Sequence, residues 1–228
     1  MMYWKQMWSK EKRSVSTRLT LSNSHYQEIY TNFFDLEVDF YHEKKILDVG
    51  CGPRGSLEWA SHAAARVCLD PLSVRYGDFN AGGQHMVYVE AGIEKIPFPK
   101  DSFDVVASIN NLDHVEDAES GVRELVRVLK TGGSLLLIVE IHALPTPCEP
   151  LTLGWNVTKL FKQTGLTVEM ERHFETKGKF CNVSGTNSAR PVFRTEDPAH
   201  SGCPHFDHRN SLSRDGFLVA RMKKRPDL

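Results

Sequence analysis

The chain has 228 residues, 40% of them apolar and 25% charged, enough for a buried core; its formal net charge of -1 argues against a nucleic-acid binder, which would need a strongly basic surface. No apolar run reaches the roughly 18 residues of a membrane span, and Met1 to Arg18 lacks an apolar signal core. The five cysteines (Cys51, Cys68, Cys148, Cys181, Cys203) follow no disulfide framework, so reduced thiols and a cytoplasmic location are expected.

Residues 1–43 are helical in character, with Trp4, Trp8, Tyr26, Tyr30, Phe33 and Phe34 recurring without strict alternation, and an amphipathic helix is predicted from Ser22 to Leu36. Lys45 to Val49 is a strand that ends in a glycine cluster, and Ser56 to Ala65 is predicted as a short helix. Further strands follow at Arg66–Asp70, stopped by Pro71, and at Met86–Glu90, Phe103–Ile109 and Ser134–Ile141. Between the last two, Val122, Leu125, Val126 and Leu129 mark a helix from Asp117 to Lys130, ended by Thr131-Gly132-Gly133. Strands alternating with helices imply a parallel sheet covered on both faces. Beyond Ile141 the pattern is a helix at Leu151–Thr164, a strand at Leu166–Phe174 and a last strand at Gly216–Met222. The roughly 40 residues between those two strands, rich in Gly, Pro, His, Asn and Ser, are long for a plain connection.

The strongest local signal is Asp48-Val49-Gly50-Cys51-Gly52-Pro53-Arg54-Gly55, which spaces Gly50, Gly52 and Gly55 as G-x-G-x-x-G between a strand and a predicted helix. Gly50 permits a tight turn, Gly52 lets a ligand approach the backbone, and a following helix would present free N–H groups to an anion. Glycine turns also serve ordinary connections. Asp70 ends the second strand 20 residues after Gly50, where a carboxylate can accept both hydroxyls of a ribose or cap the turn before Pro71. Turn and acid together indicate an adenosine-containing cofactor without separating a nicotinamide dinucleotide from S-adenosylmethionine.

Two later segments separate them. Glu94-Lys95-Ile96-Pro97-Phe98-Pro99-Lys100-Asp101-Ser102-Phe103-Asp104-Val105-Val106 and Arg123-Glu124-Leu125-Val126-Arg127-Val128-Leu129-Lys130-Thr131-Gly132-Gly133, together with Ile46 to Gly52, resemble the class I S-adenosylmethionine-dependent methyltransferases across about residues 45–141. The resemblance implies one Rossmann-like α/β domain over residues 1–228, with a mostly parallel seven-stranded sheet, helices on both faces and an antiparallel last strand. Residues 1–43 would be a helical lid, 44–141 the cofactor-binding core, and 142–228 a substrate-side half with a long insertion at 178–215. Asp48, Gly50, Cys51 and Gly52 would line the methionine end of S-adenosylmethionine, with Asp48 near its amino group. Asp70 would hold the ribose, Leu69 and Pro71 would flank the adenine, and Asn110 would lie near the reacting methyl. The family often has an acid for the adenine amino group where this chain has Gly92 followed by Ile93; Glu90 or Glu94 would then substitute, or backbone N–H groups would suffice.

Methyl transfer needs alignment, a dry cavity and, for a hydroxyl acceptor, a base. His114, just beyond the fourth strand, is the candidate catalytic base; its alternative is a cap on the next helix. Asn111, His142, Tyr26 and Trp155 are candidate substrate contacts, and the proline-rich loop from Ala143 to Pro150 would form a stiff pocket wall. No metal site is expected, because Cys181, His200, Cys203, His205 and His208 follow no zinc spacing. The expected function is methylation of a small molecule, at an oxygen of a sugar or secondary metabolite, with no nucleic-acid or membrane partner; the oligomeric state stays open. The alternatives are a protein or peptide methyltransferase, a catalytically silent S-adenosylmethionine-binding partner protein, and a nicotinamide-dependent oxidoreductase.

Overall fold

The computed structural model of the chain describes residues 24–53, 55–74, 86–142, 144–145, 149–175 and 216–226. Trp4, Trp8, and the insertion at 178–215 with its cysteines and histidines lie outside the described residues. Seven strands form one sheet: β1 Lys45–Val49, β2 Ala65–Leu69, β3 Val87–Val89, β4 Phe103–Ile109, β5 Leu129–Ile141, β6 Leu166–Glu175 and β7 Gly216–Lys224. Their spatial order is β3-β2-β1-β4-β5-β7-β6. The ladders from β3 through β5 are parallel, whereas β7 runs antiparallel between β5 and β6, as expected for the last strand. A doubly wound dinucleotide sheet lacks that reversed strand.

Alternation along the strands sorts side chains into two cores. Leu47 and Val49 of β1 face one side, with Val106, Leu135 and Leu137, against α2 (Ala118–Val128) and α3 (Thr158–Lys162). Ile46, Val105 and Leu136 face the other, where α1 (Ser24–Tyr30) and two short 3-10 turns bring Tyr30, Phe34 and Tyr41. Asp48 shares this second face with Ile46, so a carboxylate is carried into an aromatic core. On α2, fully buried Val122 and Leu125 each contribute on the order of 2 kcal/mol of burial. Asp117 caps this helix by accepting from the Ser120 amide at 3.1 Å.

The two later family-like segments bind each other. Arg127 donates to the carbonyls of Ile96 (2.8 Å) and Phe98 (2.7 Å) and forks onto both oxygens of Glu124, whose Oε2 also accepts from the Ile96 amide. This clamp fixes the loop that leads into β4. Among the described residues, no helix is long and apolar enough to cross a membrane.

Four helix boundaries differ from the sequence expectation, and β5, expected from Ser134, begins at Leu129. The helix predicted at Ser22–Leu36 is α1 followed by the 3-10 turn Asn32–Phe34, and Asp35 in the left-handed region (φ 51°) ends it. Arg172 pairs with Asp35 at 2.6 Å and Arg221 donates to the Phe34 carbonyl at 2.7 Å, so this end is pinned to β6 and β7 rather than continued. The helix predicted at Ser56–Ala65 is a run of turns, bonded Glu58 to Gly55, Ala60 to Leu57 and Ala63 to Ala60. Arg66 takes the Leu57 and Glu58 carbonyls, which an α-helix would need for its own ladder. The helix predicted at Leu151–Thr164 shortens to α3, because the Leu151 amide donates outward to the Asp113 carbonyl at 3.2 Å. The helix predicted to reach Lys130 stops at Val128, since Leu129 already pairs with Phe103 in the sheet; Gly132 does take the expected left-handed conformation (φ 74°).

Candidate functional site

The glycine turn lies at the carboxyl edge of β1. Gly50, Gly52 and Gly55 all have positive φ (77°, 63° and 71°), the conformations that keep side chains out. The Gly50 amide donates to the Leu69 carbonyl at 2.7 Å, which ties the turn to β2. A Cβ at Gly52 would meet no atom of the described residues within 4 Å, so the backbone there faces space that these residues leave open. The expected helix N-terminus does not follow this turn; backbone exposure, not a helix dipole, is what the turn offers an anion.

Asp48 is 1% exposed. The Ser56 hydroxyl donates to its Oδ2, and the Tyr30 hydroxyl lies close enough to stabilise the same carboxylate. Its Oδ1 accepts no hydrogen bond from the described residues. Burial pushes its pKa up to about 6, against those two hydroxyls. A buried carboxylate with one oxygen unmet calls for a cationic partner.

Asp70, also buried, ends β2. Its Oδ2 accepts from the Gly52 amide at 3.2 Å and its Oδ1 from the Leu72 amide at 2.8 Å. It therefore makes the turn at Pro71 and also holds the glycine turn in place, at the end of β2 where a carboxylate can accept a ribose hydroxyl. Pro71 is exposed beside it, whereas the Cys51 side chain is buried in the core and leaves only its backbone to the turn. Asp70→Ala is expected to lower affinity for S-adenosylhomocysteine by about 10- to 100-fold, the loss of one or two charge-assisted hydrogen bonds. Calorimetric titration of the variant checks this; unchanged affinity would detach Asp70 from the cofactor.

Gly92 and Ile93 divide. Ile93 is buried against Gly121 in the core, so only its backbone can reach a ligand. At Gly92, a Cβ would stand 3.1 Å from Glu94 Oε2, so the Glu94 carboxylate occupies the space where an acid at position 92 would begin. Glu94 is held there by the Glu116 amide, which donates to its Oε1 at 3.1 Å. Glu90 is exposed on the outer end of β3.

Beyond β4, Asn110 takes a left-handed conformation (φ 50°) and its amide donates to the Ile138 carbonyl at 2.8 Å. This kink sends Asn111 back over the glycine turn, where its side chain covers the Cα face of Gly50. The His114 amide donates to the Asn111 carbonyl at 3.1 Å, which brings Asp113 and His114 to the same edge. Asp113 is 0% exposed, and its two oxygens face two imidazoles: His114 Nε2 lies 3.8 Å from Oδ1 and His142 Nε2 lies 3.9 Å from Oδ2. Burial pushes the Asp113 carboxyl up, opposed by His114. Glu149 brings a carboxylate oxygen within 4.8 Å of Asp113 and His114 ligand atoms.

The other two substrate candidates lie apart. Trp155 is half-buried, lies tilted against His173 with ring centroids 4.8 Å apart, and packs against Gly216, which pairs with Ile141 next to His142. Tyr26 packs at the margin of the aromatic core, and it is Tyr30, one helical turn on, that reaches Asp48. Ser56 is thus a site residue that the sequence does not single out, whereas Tyr30, Asp113 and Glu149 stand in the segments that the sequence marks for the N-terminal lid and the carboxyl edge. For Tyr30 the i, i+4 spacing from Tyr26 was a usable signal.

Comparison with known proteins agrees with this fold. Residues 47–137 match the family model described as a methyltransferase domain. Ajmaline N-methyltransferase of Rauvolfia serpentina is 29% identical over 55% of this chain and 46% of its own length. Demethylmenaquinone methyltransferase of Thermobifida fusca is 32% identical over 53% of each. Tocopherol O-methyltransferase of Arabidopsis thaliana is 28% identical over 52% of this chain and 36% of its own. The chain thus spans about half, or less, of the length of these curated relatives. Among solved structures, the [4+2]-cyclase SpnF aligns with a TM-score of 0.60 at 15% identity, covering 89% of this chain and 81% of that one. An S-adenosylmethionine-dependent methyltransferase of Mesorhizobium loti aligns at 0.53 and 20% identity, covering 83% and 99%.

The fold and the glycine turn are those of the class I S-adenosylmethionine-dependent methyltransferases. Residues 47–137 match a methyltransferase domain, and in the class that shares this fold the methyl donor is S-adenosylmethionine. The residues present fit that cofactor: Asp48 has an unmet buried oxygen for an ammonium, and Gly52 leaves open space where a side chain would stand. The likeness to a cyclase shows that the fold by itself does not fix the reaction.

Proposed function

We propose that this chain transfers the methyl group of S-adenosylmethionine to an oxygen of a small molecule. The observation that carries the reading is the buried Asp113 between His114 and His142, on the same sheet edge as the glycine turn and joined to it through Asn111. When bound, the cofactor supplies the electrophilic methyl, so the protein supplies alignment, exclusion of water and handling of the acceptor's proton. Asp48 holds the ammonium end, the Gly50–Gly52 backbone admits the methionine moiety, and Asp70 holds the ribose. Glu94 stands in for the adenine acid. Asn110 and Asn111 border the methyl, Trp155 walls the acceptor, and His114 activates the acceptor hydroxyl. Relatives named for ajmaline, tocopherol and demethylmenaquinone support a small-molecule acceptor; a sugar or a secondary metabolite fits the polar lining.

Titration with S-adenosylhomocysteine, with NADH as control, tests the cofactor reading, and labelled methyl donor with a panel of hydroxylated and amine acceptors tests the transfer. Saturable binding of the first ligand alone is expected; no binding by folded protein would overturn it. With an acceptor in hand, His114→Ala is expected to lower turnover by about 100-fold or more while S-adenosylhomocysteine affinity stays at the wild-type value. Full turnover would remove His114 from the chemistry.

A further inference from the structure

Asp113 presents an unusual balance of charge and donors. Its side chain is fully buried, and neither oxygen accepts a hydrogen bond from another described residue. A buried carboxylate normally collects donors, because the free energy of leaving it bare is high. What faces it instead is another acceptor. His142 Nδ1 lies 2.7 Å from the Leu144 carbonyl, which can only accept, so Nδ1 carries the proton. In the neutral ring Nε2 then bears a lone pair, and this nitrogen sits 3.9 Å from Asp113 Oδ2, with no other described group bonded to it. A lone pair and a carboxylate oxygen held opposite each other, too far apart for a hydrogen bond, are the arrangement that a cation between them would satisfy.

The remaining donors complete a set. His114 Nε2 is 3.8 Å from Asp113 Oδ1, and one ligand atom from each of Asp113, His114 and Glu149 lies within 4.8 Å of the others. A point equidistant from three atoms that far apart is about 2.8 Å from each, so inward movement of roughly 0.7 Å per side chain reaches the ~2.1 Å bonds of a first-row cation. Glu149 is positioned for this by the chain just after it, where the Leu151 amide is bonded to the Asp113 carbonyl itself.

We propose that Asp113, His114 and Glu149, with His142 on the second Asp113 oxygen, form a binding site for a divalent first-row transition cation. Two imidazoles with two carboxylates and no thiolate favour manganese, iron, cobalt, nickel or zinc over calcium or magnesium. The site rests on the reading of this edge as the place of methyl transfer, and it specifies how His114 acts there: as a ligand of a Lewis acid beside the acceptor, which makes a hydroxyl more acidic. Three or four side-chain ligands leave an octahedral cation two or three positions, suited to an acceptor with neighbouring oxygens.

The test uses the full chain, stripped with a chelator and dialysed, titrated with Co2+ under visible absorption and calorimetry. One equivalent is expected to bind with the ligand-field bands of a nitrogen and oxygen site. Asp113→Asn and Glu149→Gln are each expected to weaken binding by at least about tenfold. Binding of S-adenosylhomocysteine by the same metal-free wild type reports the cofactor reading separately, so the two readings fail independently. Absence of saturable Co2+ uptake, equal affinity in both variants, or a spectrum dominated by thiolate-to-cobalt charge transfer would overturn the cation site, because it contains no cysteine.

Discussion

Gly50→Ala is expected to lower the affinity for S-adenosylhomocysteine by at least about 100-fold and to destabilise the fold by about 2–4 kcal/mol. Two costs add at this position. At φ 77° an L side chain is strained. A methyl group there would also stand 2.5 Å from Asn111 Oδ1 and 2.7 Å from Asn111 Cβ. The amide end of Asn111 can rotate away, but its Cβ is fixed to the backbone, so relief requires the segment after β4 to move. That segment carries Asn110, Asp113 and His114, so a change in the cofactor turn spreads to the transfer edge. Asn111→Gly removes the clash and leaves the backbone strain. In that background the second substitution should cost measurably less, a coupling that a double-mutant cycle in thermal denaturation and titration detects. Additive effects would mean that Asn111 does not press on Gly50 in solution.

The sequence made the scaffold legible where periodicity and burial coincide. β4 is found at the predicted residues, Phe103–Ile109, because a run flanked by Asp101-Ser102 and Asn110 has no other apolar phase. β1, β6 and β7 fall within two residues of expectation. The reversed last strand came from the family resemblance, since no local signal in Gly216–Lys224 states its direction. What stayed hidden was decided by contacts distant in sequence. The helix expected after the glycine turn has adequate propensity, yet Arg66 removes two carbonyls it would need, and nothing near Leu57 announces that. The cation-site candidates span residues 113 to 149 and meet only because β4 and β5 are neighbours, so no spacing rule for metal ligands would reveal them. The Gly92 departure reads as a missing acid in the sequence, whereas in space the Glu94 carboxylate stands in the gap.

Asp48→Asn should change stability and cofactor binding in opposite directions. The wild-type carboxyl is raised from 3.8 to about 6 on folding. The folded state therefore holds a proton that the unfolded state has released between those values, and stability falls as pH rises through that window, then stays at the lower level. At about 1.4 kcal/mol per unit, ionised Asp48 costs the free protein on the order of 3 kcal/mol at neutral pH. Asparagine keeps an oxygen to accept from Ser56 and Tyr30 and carries no charge to desolvate. The variant should melt about 5 °C or more above wild type at neutral pH, with the advantage shrinking toward about pH 4 as wild-type Asp48 becomes neutral. Cofactor binding should respond the other way, because the ammonium of S-adenosylhomocysteine needs the carboxylate that folding makes costly. A loss of about 10- to 100-fold is expected at neutral pH. In the wild type the affinity should drop as pH falls below about 6, with proton release on binding near that pH, and both features should vanish in the variant. Titrations from about pH 5 to pH 8, in two buffers of different ionisation heat, measure affinity and proton release together. A variant that melts higher but keeps the wild-type affinity and pH dependence would place the ammonium elsewhere. One that melts lower would mean that the amide cannot replace the carboxylate between Ser56 and Tyr30, and that the charge is already compensated in the free protein.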